Sequence, residues 1–275
     1  MKGKVAVITS LYNGDDIYFA EQAINSLISQ SYGMENINIY IHIDGAISND
    51  HEEFLKKHST YIYKIIRSNE NIGLALGLNK LIDVISEEYV FRMDLDDISH
   101  KERFERQIKF MENNKVDICG CFSQEINIDN EVEYVRSYPL EHENIKNSLM
   151  KLCPLLHPTF CYRKIIFDEG VRYEDRYLTE DLGILFSISK LDIIFGNLDE
   201  VLFSWRKTDD FYKRRSFKRS IVEMSTYCEI ISYHKPISLY YIYPILRFLF
   251  RLFPRGITKT VYNSRLRNFL SRIKK

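Results

Sequence analysis

EYVFRMDLDDISHKERF, residues 88–104, decides the fold. Tyr89 to Met93 is a short apolar and aromatic run that reads as a buried strand, and it gives way at once to Asp94, Asp96 and Asp97, then to a helix from about Lys101. A strand that delivers three carboxylates into one loop crowds like charges, which is costly unless a cation or polar ligand offsets the repulsion. Mg2+ and Mn2+ take hard oxygen ligands, use one or two carboxylates and complete their shells with substrate phosphates, so Asp-x-Asp at a strand end suits a metal-diphosphate site. The loop equally fits a solvated turn whose last aspartate caps the next helix.

Around this stretch, runs rich in β-branched and aromatic residues alternate with helical patterns. Strands are predicted at Lys4 to Thr9, Ile37 to Asp44, Tyr61 to Ser68, Tyr89 to Met93 and Val116 to Phe122. Between them, Ile17 to Ser31 sets Ala20, Ile24, Leu27 and Ile28 on one helical face, and Gly73 to Ser86 does the same with Leu74, Leu78, Leu81, Ile82 and Ile85. Such βαβ units build an α/β fold around an open, largely parallel sheet, and ligands of these sheets bind beyond the carboxyl ends of the strands. Polar residues gather there: Thr9 to Asn13, Asp44-Gly45, Asn69 to Gly73 and Asp94 to Asp97. The second half is less regular, with HPTF at His157 to Phe160, a helix from Thr179 to Lys190 and a strand from Glu200 to Arg206.

The 275 residues, 45% hydrophobic and 28% charged, suffice for one large domain, placed at 1–215, and a helical appendage at 216–275. Lys plus Arg and Asp plus Glu are both 38, but no acidic residue follows Glu229 and ten basic ones lie between His234 and Lys275. The remainder therefore carries 28 basic against 38 acidic residues, near −10, and would repel nucleic acid. Five cysteines without CxxC spacing point to reduced thiols. The apolar stretch near the start, Val5 to Ile8, is too short for a signal-peptide core, so a cytoplasmic protein is expected.

ISLYYIYPILRFLFRLF, Ile237 to Phe253, is interrupted by Pro244, Arg247 and Arg251 and is slightly short for a membrane span. Arg247 and Arg251 would share one helical face opposite leucine and aromatic residues, which suits a helix lying in the interface of an anionic membrane. Val261 to Lys275 repeats the pattern. Both segments equally fit helices packed on the body.

RMDLDDISHKERFERQIKF, starting at Arg92, resembles the family 2 glycosyltransferases of bacterial surface-polysaccharide synthesis, whose usual form is close to RxDxDDxxxPxRxxxQ. The resemblance extends over most of Met1 to Arg206 through ITSLYN at Ile8, QSY at Gln30, His42 to Gly45, NIGLALGLN at Asn71, HPTF, TEDLGILF at Thr179 and FSWR at Phe203. It implies the GT-A fold, a Rossmann-like nucleotide-binding half joined to an acceptor-binding half. It also implies that Asp94 and Asp96 hold the ribose and a Mg2+ or Mn2+ ion, with Asp97 structural. Thr9, Tyr12, Asn13, Asn71 and Arg92 fall where the family binds the nucleotide sugar, and Asp44 where an aspartate accepts from a uracil imide. Glu180 belongs to the Glu-Asp motif of the donor site, and Asp181 matches its catalytic base. His157, with Thr159, matches a segment beside the sugar pocket.

Asp44 also fits a turn with Gly45, Glu180-Asp181 also fit a helix start capped by Thr179, and His157 also fits a structural role. Two departures stand out: Asp44-Gly45-Ala46 replaces a pair of aspartates and Gly-Ser, and Trp205-Arg206-Lys207-Thr208 replaces Tyr-Arg-x-His, whose histidine can be a metal ligand. The basic stretch Lys207 to Arg215, with Lys213, Arg214 and Arg215, fits either a loop closing over a diphosphate or a solvated charge run.

The resemblance implies an inverting, metal-dependent hexosyltransferase. It would move galactose or glucose from a UDP-sugar donor to a lipid-linked saccharide acceptor, a polyprenyl diphosphate, forming a β-linkage in surface polysaccharide biosynthesis. The basic tail would keep it peripheral on the inner face of the cytoplasmic membrane. The alternatives are a sugar-nucleotide nucleotidyltransferase, for which the first loop lacks a Gly-rich, Arg-bearing stretch, and a non-catalytic membrane-associated binding protein.

Overall fold

The computed structural model describes residues 3–208 and 216–252. The stretches Lys213 to Arg215 and Val261 to Lys275 lie outside them, as does the expected domain boundary at residue 215. Of the described residues, 3–176 with 180–208 form one compact unit and 177–179 with 216–252 another.

The first unit begins as a regular alternation of strand and helix: β1 (Val5–Leu11), α1 (Ile17–Ile28), β2 (Ile37–Asp44), α2 (Asn49–Lys57), β3 (Ile62–Ser68), α3 (Leu74–Ile82) and β4 (Tyr89–Arg92). It continues through β5 (Ile98–Ser99), α4 (Arg103–Asn114), β6 (Ile118–Ile126), β7 (Val132–Arg136), α5 (His142–Leu149), β8 (Cys161–Arg163), α6 (Ile165–Asp168), α7 (Glu180–Ser189) and β9 (Phe195–Arg206). The strands form a nine-stranded sheet of order β3-β2-β1-β4-β8-β6-β9-β5, with β7 on β6. The expected parallel pairing is found across β3, β2, β1 and β4 and again between β6 and β9, while β8, β5 and β7 pair antiparallel.

β2 is buried at every position, as a central parallel strand covered on both faces must be. Asp16 starts α1 by accepting the Tyr18 N–H at 2.8 Å, and Ala20, Ala23, Ile24 and Leu27 then bury one stripe against Val5, Val7 and Leu11 of β1 and Phe54 and Leu55 of α2. Each fully buried Ile or Leu contributes about 1.5–3 kcal/mol. No disulfide joins any of the five cysteines.

On the other face α3 packs against His42, which is fully buried. Lys80 donates to Ser68 Oγ at 2.8 Å, and the His42 ring is hydrogen-bonded to Ser68 Oγ through Nε2 at 2.8 Å and to Ser10 Oγ through Nδ1 at 3.2 Å. Burial lowers the histidine's pKa and keeps it neutral. A Cβ on Gly77 would lie 2.3 Å from His42 Nδ1. Glycine inside a helix ordinarily costs about 1 kcal/mol relative to alanine, but here the ring leaves no room for the methyl group.

The second unit contains α8 (Phe217–His234) and α9 (Ile242–Arg251). Arg247 and Arg251 do share one face of α9, yet that face meets α8: both arginines bond Glu223, and Arg247 lies 5.1 Å over the Tyr227 ring. A carboxylate inside the helix pair thus engages both arginines. The opposite face exposes Ile242, Ile245, Leu246, Leu249 and Leu252. Among the described residues no helix is long and apolar enough to cross a membrane.

Gly77→Ala, stabilising in most helices, is expected to lower unfolding free energy here by about 1–3 kcal/mol in a urea titration; an increase would show that His42 yields.

Candidate active site

Register brings the polar strand ends to one edge. Leu11 pairs with Ile43 and Ile43 with Arg67, while Ile8 pairs with Arg92, so the residues after β1, β2, β3 and β4 emerge side by side. The acidic loop then does something unusual. Residues 93–97 connect β4 to β5, which lie four strand steps apart in the sheet. On a flat sheet that is roughly 19 Å. Six extended Cα steps reach roughly 20–22 Å, but Asp97 N–H bonds back to Asp94 O at 3.4 Å and shortens the path. The sheet must curl to bring β5, paired with the end of β9, back toward β4.

Arg206, the last residue of β9, holds this loop. Its N–H donates to Asp97 Oδ1 at 2.7 Å, Nε to Asp96 O at 2.8 Å, Nη1 to Asn127 O at 3.1 Å and Nη2 to Gln22 Oε1 at 2.9 Å, and the guanidinium lies 4.2 Å over Phe19. Burial lowers its pKa, opposed by the charges of Asp97 and Asp96. Beneath the loop Arg103 is fully buried, donating to Gln107 Oε1 at 2.8 Å and to Arg92 O at 3.1 Å, with its guanidinium 4.9 Å over Phe203. Gln107 passes the support on to Thr159 O at 2.9 Å. Gln30 ties β5 to α1 through His100 O at 2.8 Å.

Oxygens of Asp94, Asp96 and Asp97 lie within 4.8 Å of one another. Asp97 is fully buried and its Oδ2 has no hydrogen-bond partner among the described residues. Burial pushes its pKa well above the ordinary carboxylate range, and the neighbouring charges of Asp96 and Asp94 push further. Three hard oxygen donors, mutually repelling and one incompletely satisfied, fit a divalent cation such as Mg2+ or Mn2+.

Arg92 at the end of β4 is buried and ion-paired to Asp94, with Nε and Nη1 lacking hydrogen-bond partners among the described residues. Burial opposes its charge, but Asp94, Tyr173 and Asp97 outweigh that and raise its pKa. His157 accompanies it, bonded through Nε2 to Tyr173 OH at 2.8 Å, and Tyr173 OH meets Tyr162 OH at 2.8 Å. Burial, reinforced by Arg92, lowers the His157 pKa well below the usual value, so the ring is neutral. Tyr162 and Tyr173 both sense Arg92 and Asp181, and Tyr173 senses Glu180 as well; burial first, then the tyrosine neighbour, raises the Tyr162 pKa. Arg92, which is ion-paired to Asp94, and the start of α7 thus act on the same buried tyrosine pair. Thr179, expected as a possible cap for α7, has its hydroxyl buried without a hydrogen bond among the described residues.

The other expected residues differ in access. Tyr12 and Asn13 are exposed in the loop after β1, whereas Thr9 is fully buried with its hydroxyl lacking a hydrogen-bond partner among the described residues. Asp44 accepts Ile72 N–H at 2.7 Å and Gly73 N–H at 3.0 Å, so it anchors the loop that carries exposed Asn71. Gly45, at φ +84, lets that loop approach, since a Cβ there would lie 3.0 Å from Asn71 N.

Arg206, Arg103, Gln107 and Tyr173 received no role in the sequence reading. Arg103 and Gln107, one helical turn apart within the acidic motif, carried a signal; Tyr173 carried none. Arg206→Ala is expected to lower unfolding free energy by about 3–5 kcal/mol, since it leaves buried partners unsatisfied. A loss under about 1 kcal/mol in denaturant titration would mean that the loop holds without it.

Residues 6–170 match the family model described as Glycosyl transferase family 2. The amylovoran biosynthesis glycosyltransferase AmsE of Erwinia amylovora is 27% identical over 212 residues, 76% of this chain and 79% of that one. The Escherichia coli UDP-Gal:alpha-D-GlcNAc-diphosphoundecaprenol beta-1,3-galactosyltransferase is 24% identical over 276 residues, 97% and 98% of the two chains. Among solved structures, the mannosyltransferase PcManGT from Pyrobaculum calidifontis, in complex with GDP-Man and Mn2+, superposes with a TM-score of 0.65 at 13% identity, covering 90% of this chain and 69% of that one, a likeness of fold in agreement with the GT-A architecture. With its acidic loop at the carboxyl edge of a curled α/β sheet and more than half its length matched by the family model, the chain belongs to glycosyl transferase family 2.

Proposed function

We propose that this glycosyltransferase moves a hexose, galactose or glucose, from a UDP-sugar to a saccharide carried on a polyprenyl diphosphate, with inversion to a β-linkage, in surface polysaccharide synthesis. The observation that carries the reading is the three-carboxylate cluster of Asp94, Asp96 and Asp97 at the carboxyl edge of the sheet. The near-complete overlap with a relative named for UDP-galactose and a diphosphoundecaprenol acceptor supports the choice of donor and acceptor.

In this reading Asp94 and Asp96 hold Mg2+ or Mn2+, which when bound neutralises the leaving diphosphate; the Mn2+ in the mannosyltransferase complex is compatible with that choice. Arg206 keeps the two carboxylates presented by gripping the Asp96 carbonyl and, through its backbone, Asp97. Arg92 restrains Asp94 from beneath. Tyr12, Asn13 and Asn71 surround the nucleotide, with Thr9 behind them. Asp44 spends one lone pair of each oxygen on the Ile72 and Gly73 amides and keeps others for a base imide. His157, neutral and held by Tyr173, orients the sugar side of the pocket with Glu180. Asp181 takes the proton of the acceptor hydroxyl as it attacks the anomeric carbon from the face opposite the diphosphate. The second unit and the basic residues beyond it keep the enzyme at the inner face of the cytoplasmic membrane, where a lipid-linked acceptor resides.

Incubation with Mn2+ and a panel of UDP-sugars, with lipid-linked monosaccharides as acceptors, tests the whole reading. UDP release coupled to a new β-linkage is expected, whereas consumption of nucleoside triphosphate with pyrophosphate release would replace it with a nucleotidyltransferase. Asp96→Ala should abolish metal-dependent UDP binding in calorimetry, and wild-type activity of that variant in chelator would remove the metal from the scheme. Asp181→Asn should bind the donor normally and lose transfer by roughly 10²–10⁴-fold; undiminished turnover would assign the base elsewhere.

A further inference from the structure

α9 is an amphipathic helix turned inside out. Its charges point at α8, where Glu223 receives both Arg247 and Arg251 and is itself nearly buried. Pro244 is buried and Phe248 meets Phe217, ring centroids 5.9 Å apart, on the same inner side. The side chains left in solvent are aliphatic: Ile242 is 53% exposed, Ile245 48%, Leu246 56%, Leu249 49% and Leu252 51%, and Leu239 just before the helix is 90% exposed. Their spacing of three and four residues makes one continuous ridge without a charge. Apolar area of this kind left in water marks a surface that is covered when the protein works.

Resting on the proposed lipid-linked acceptor, we infer that this ridge inserts into the acyl region of a membrane leaflet, so that apolar burial, and not Arg247 or Arg251, fastens the described helix to the bilayer. The chain around it selects a lipid surface over a protein groove. Residues 253–275, which continue directly from Leu252, carry seven Lys or Arg and no acidic residue, a charge complementary to the anionic headgroups that flank an inserted helix. Tyr240, Tyr241 and Tyr243 cluster at the amino end of the ridge, residues that suit the headgroup boundary. The internal Glu223 pairing has a direct consequence: with their charges already answered, the two arginines add little to lipid attraction, and attachment through this helix is insensitive to salt and lipid charge.

Flotation of the full chain with pure phosphatidylcholine vesicles, at about 0.1 M and about 1 M salt, reads this directly. Binding is expected at both salt concentrations. The double variant Leu246→Glu with Leu249→Glu, made at exposed positions where the fold tolerates a carboxylate, should lose roughly tenfold or more of its vesicle partition while far-UV circular dichroism stays unchanged. Failure to bind neutral vesicles, or binding to anionic vesicles alone that vanishes in high salt, would overturn the inference and leave surface cations as the attachment. Unchanged partition of the double variant would overturn it as well. So would a wild-type dimer in solution that the same two substitutions dissociate, because a second copy would then cover the ridge. UDP release with a detergent-solubilised acceptor is measured in parallel: if the double variant keeps that turnover, loss of vesicle binding concerns the ridge alone, and if neither protein turns over, the proposed reaction fails independently of the membrane result.

Discussion

Five residues, Met93 to Asp97, join two strands that the sheet keeps four steps apart, and much of the first unit follows from that short bridge. The connection is too brief to cross a flat sheet once its Asp94–Asp97 turn is made, so the sheet curls until β5 and the end of β9 approach β4. Curling is what lets Arg206, distant in sequence, reach the acidic loop. The three carboxylates therefore owe their clustering less to the strand that delivers them than to the closure that pulls the far strands over them. The loop is held at both ends and clamped at its centre by Arg206, which fixes the three carboxylates side by side.

The electrostatics of this closure rest on three arginines, Arg92, Arg103 and Arg206, which are the largest fully buried side chains among the described residues. Burying a guanidinium is costly unless its donors and charge are answered. Each is answered differently. Arg92 faces Asp94 and keeps its charge firmly; Arg206 spends its donors on carbonyls and a glutamine around the loop; Arg103 sits among Phe91, Phe104 and Phe203 with neutral partners, and burial pulls its pKa down. Together they place fixed positive charge under and behind the carboxylates. That softens the repulsion between Asp94, Asp96 and Asp97 but leaves Asp97 destabilised as an anion, so a cation still gains by binding.

The first four parallel strands and their crossover helices were legible because each has a local signature: apolar runs with β-branched residues, and a stripe at helical spacing. The ends of those strands were legible for the same reason, since Tyr12, Asp44, Asn71 and Asp94 follow recognisable runs. β5 and β8 are two and three residues long, and nothing local marks Ile98–Ser99 as a strand; only pairing with β9 makes it one. β9 itself extends back to Phe195, five residues before the expected start, because Gly196 and Asn197 break the alternation that sequence patterns rely on. Arg206 was noticed for the histidine missing after it, while its grip on the loop depends on curling that no window of sequence contains. Thr9 was expected at the ligand and lies beneath the surface, because strand position fixes the edge at which a residue stands and not the depth to which neighbours bury it.

The same limit explains the reversal at α9. Periodicity predicted two faces, one cationic and one apolar, and both exist. It could not say which face turns inward, because that depends on a partner 24 residues earlier in the chain, Glu223. A buried carboxylate facing two arginines outweighs the burial of five aliphatic side chains only if those side chains gain elsewhere. Left in water, the ridge forfeits about 25 cal/mol for each Å² it could have buried, whereas turning it inward would strand Glu223 without a counter-charge in an apolar setting. The exposed ridge and the internal ion pair are thus two consequences of one sequence choice.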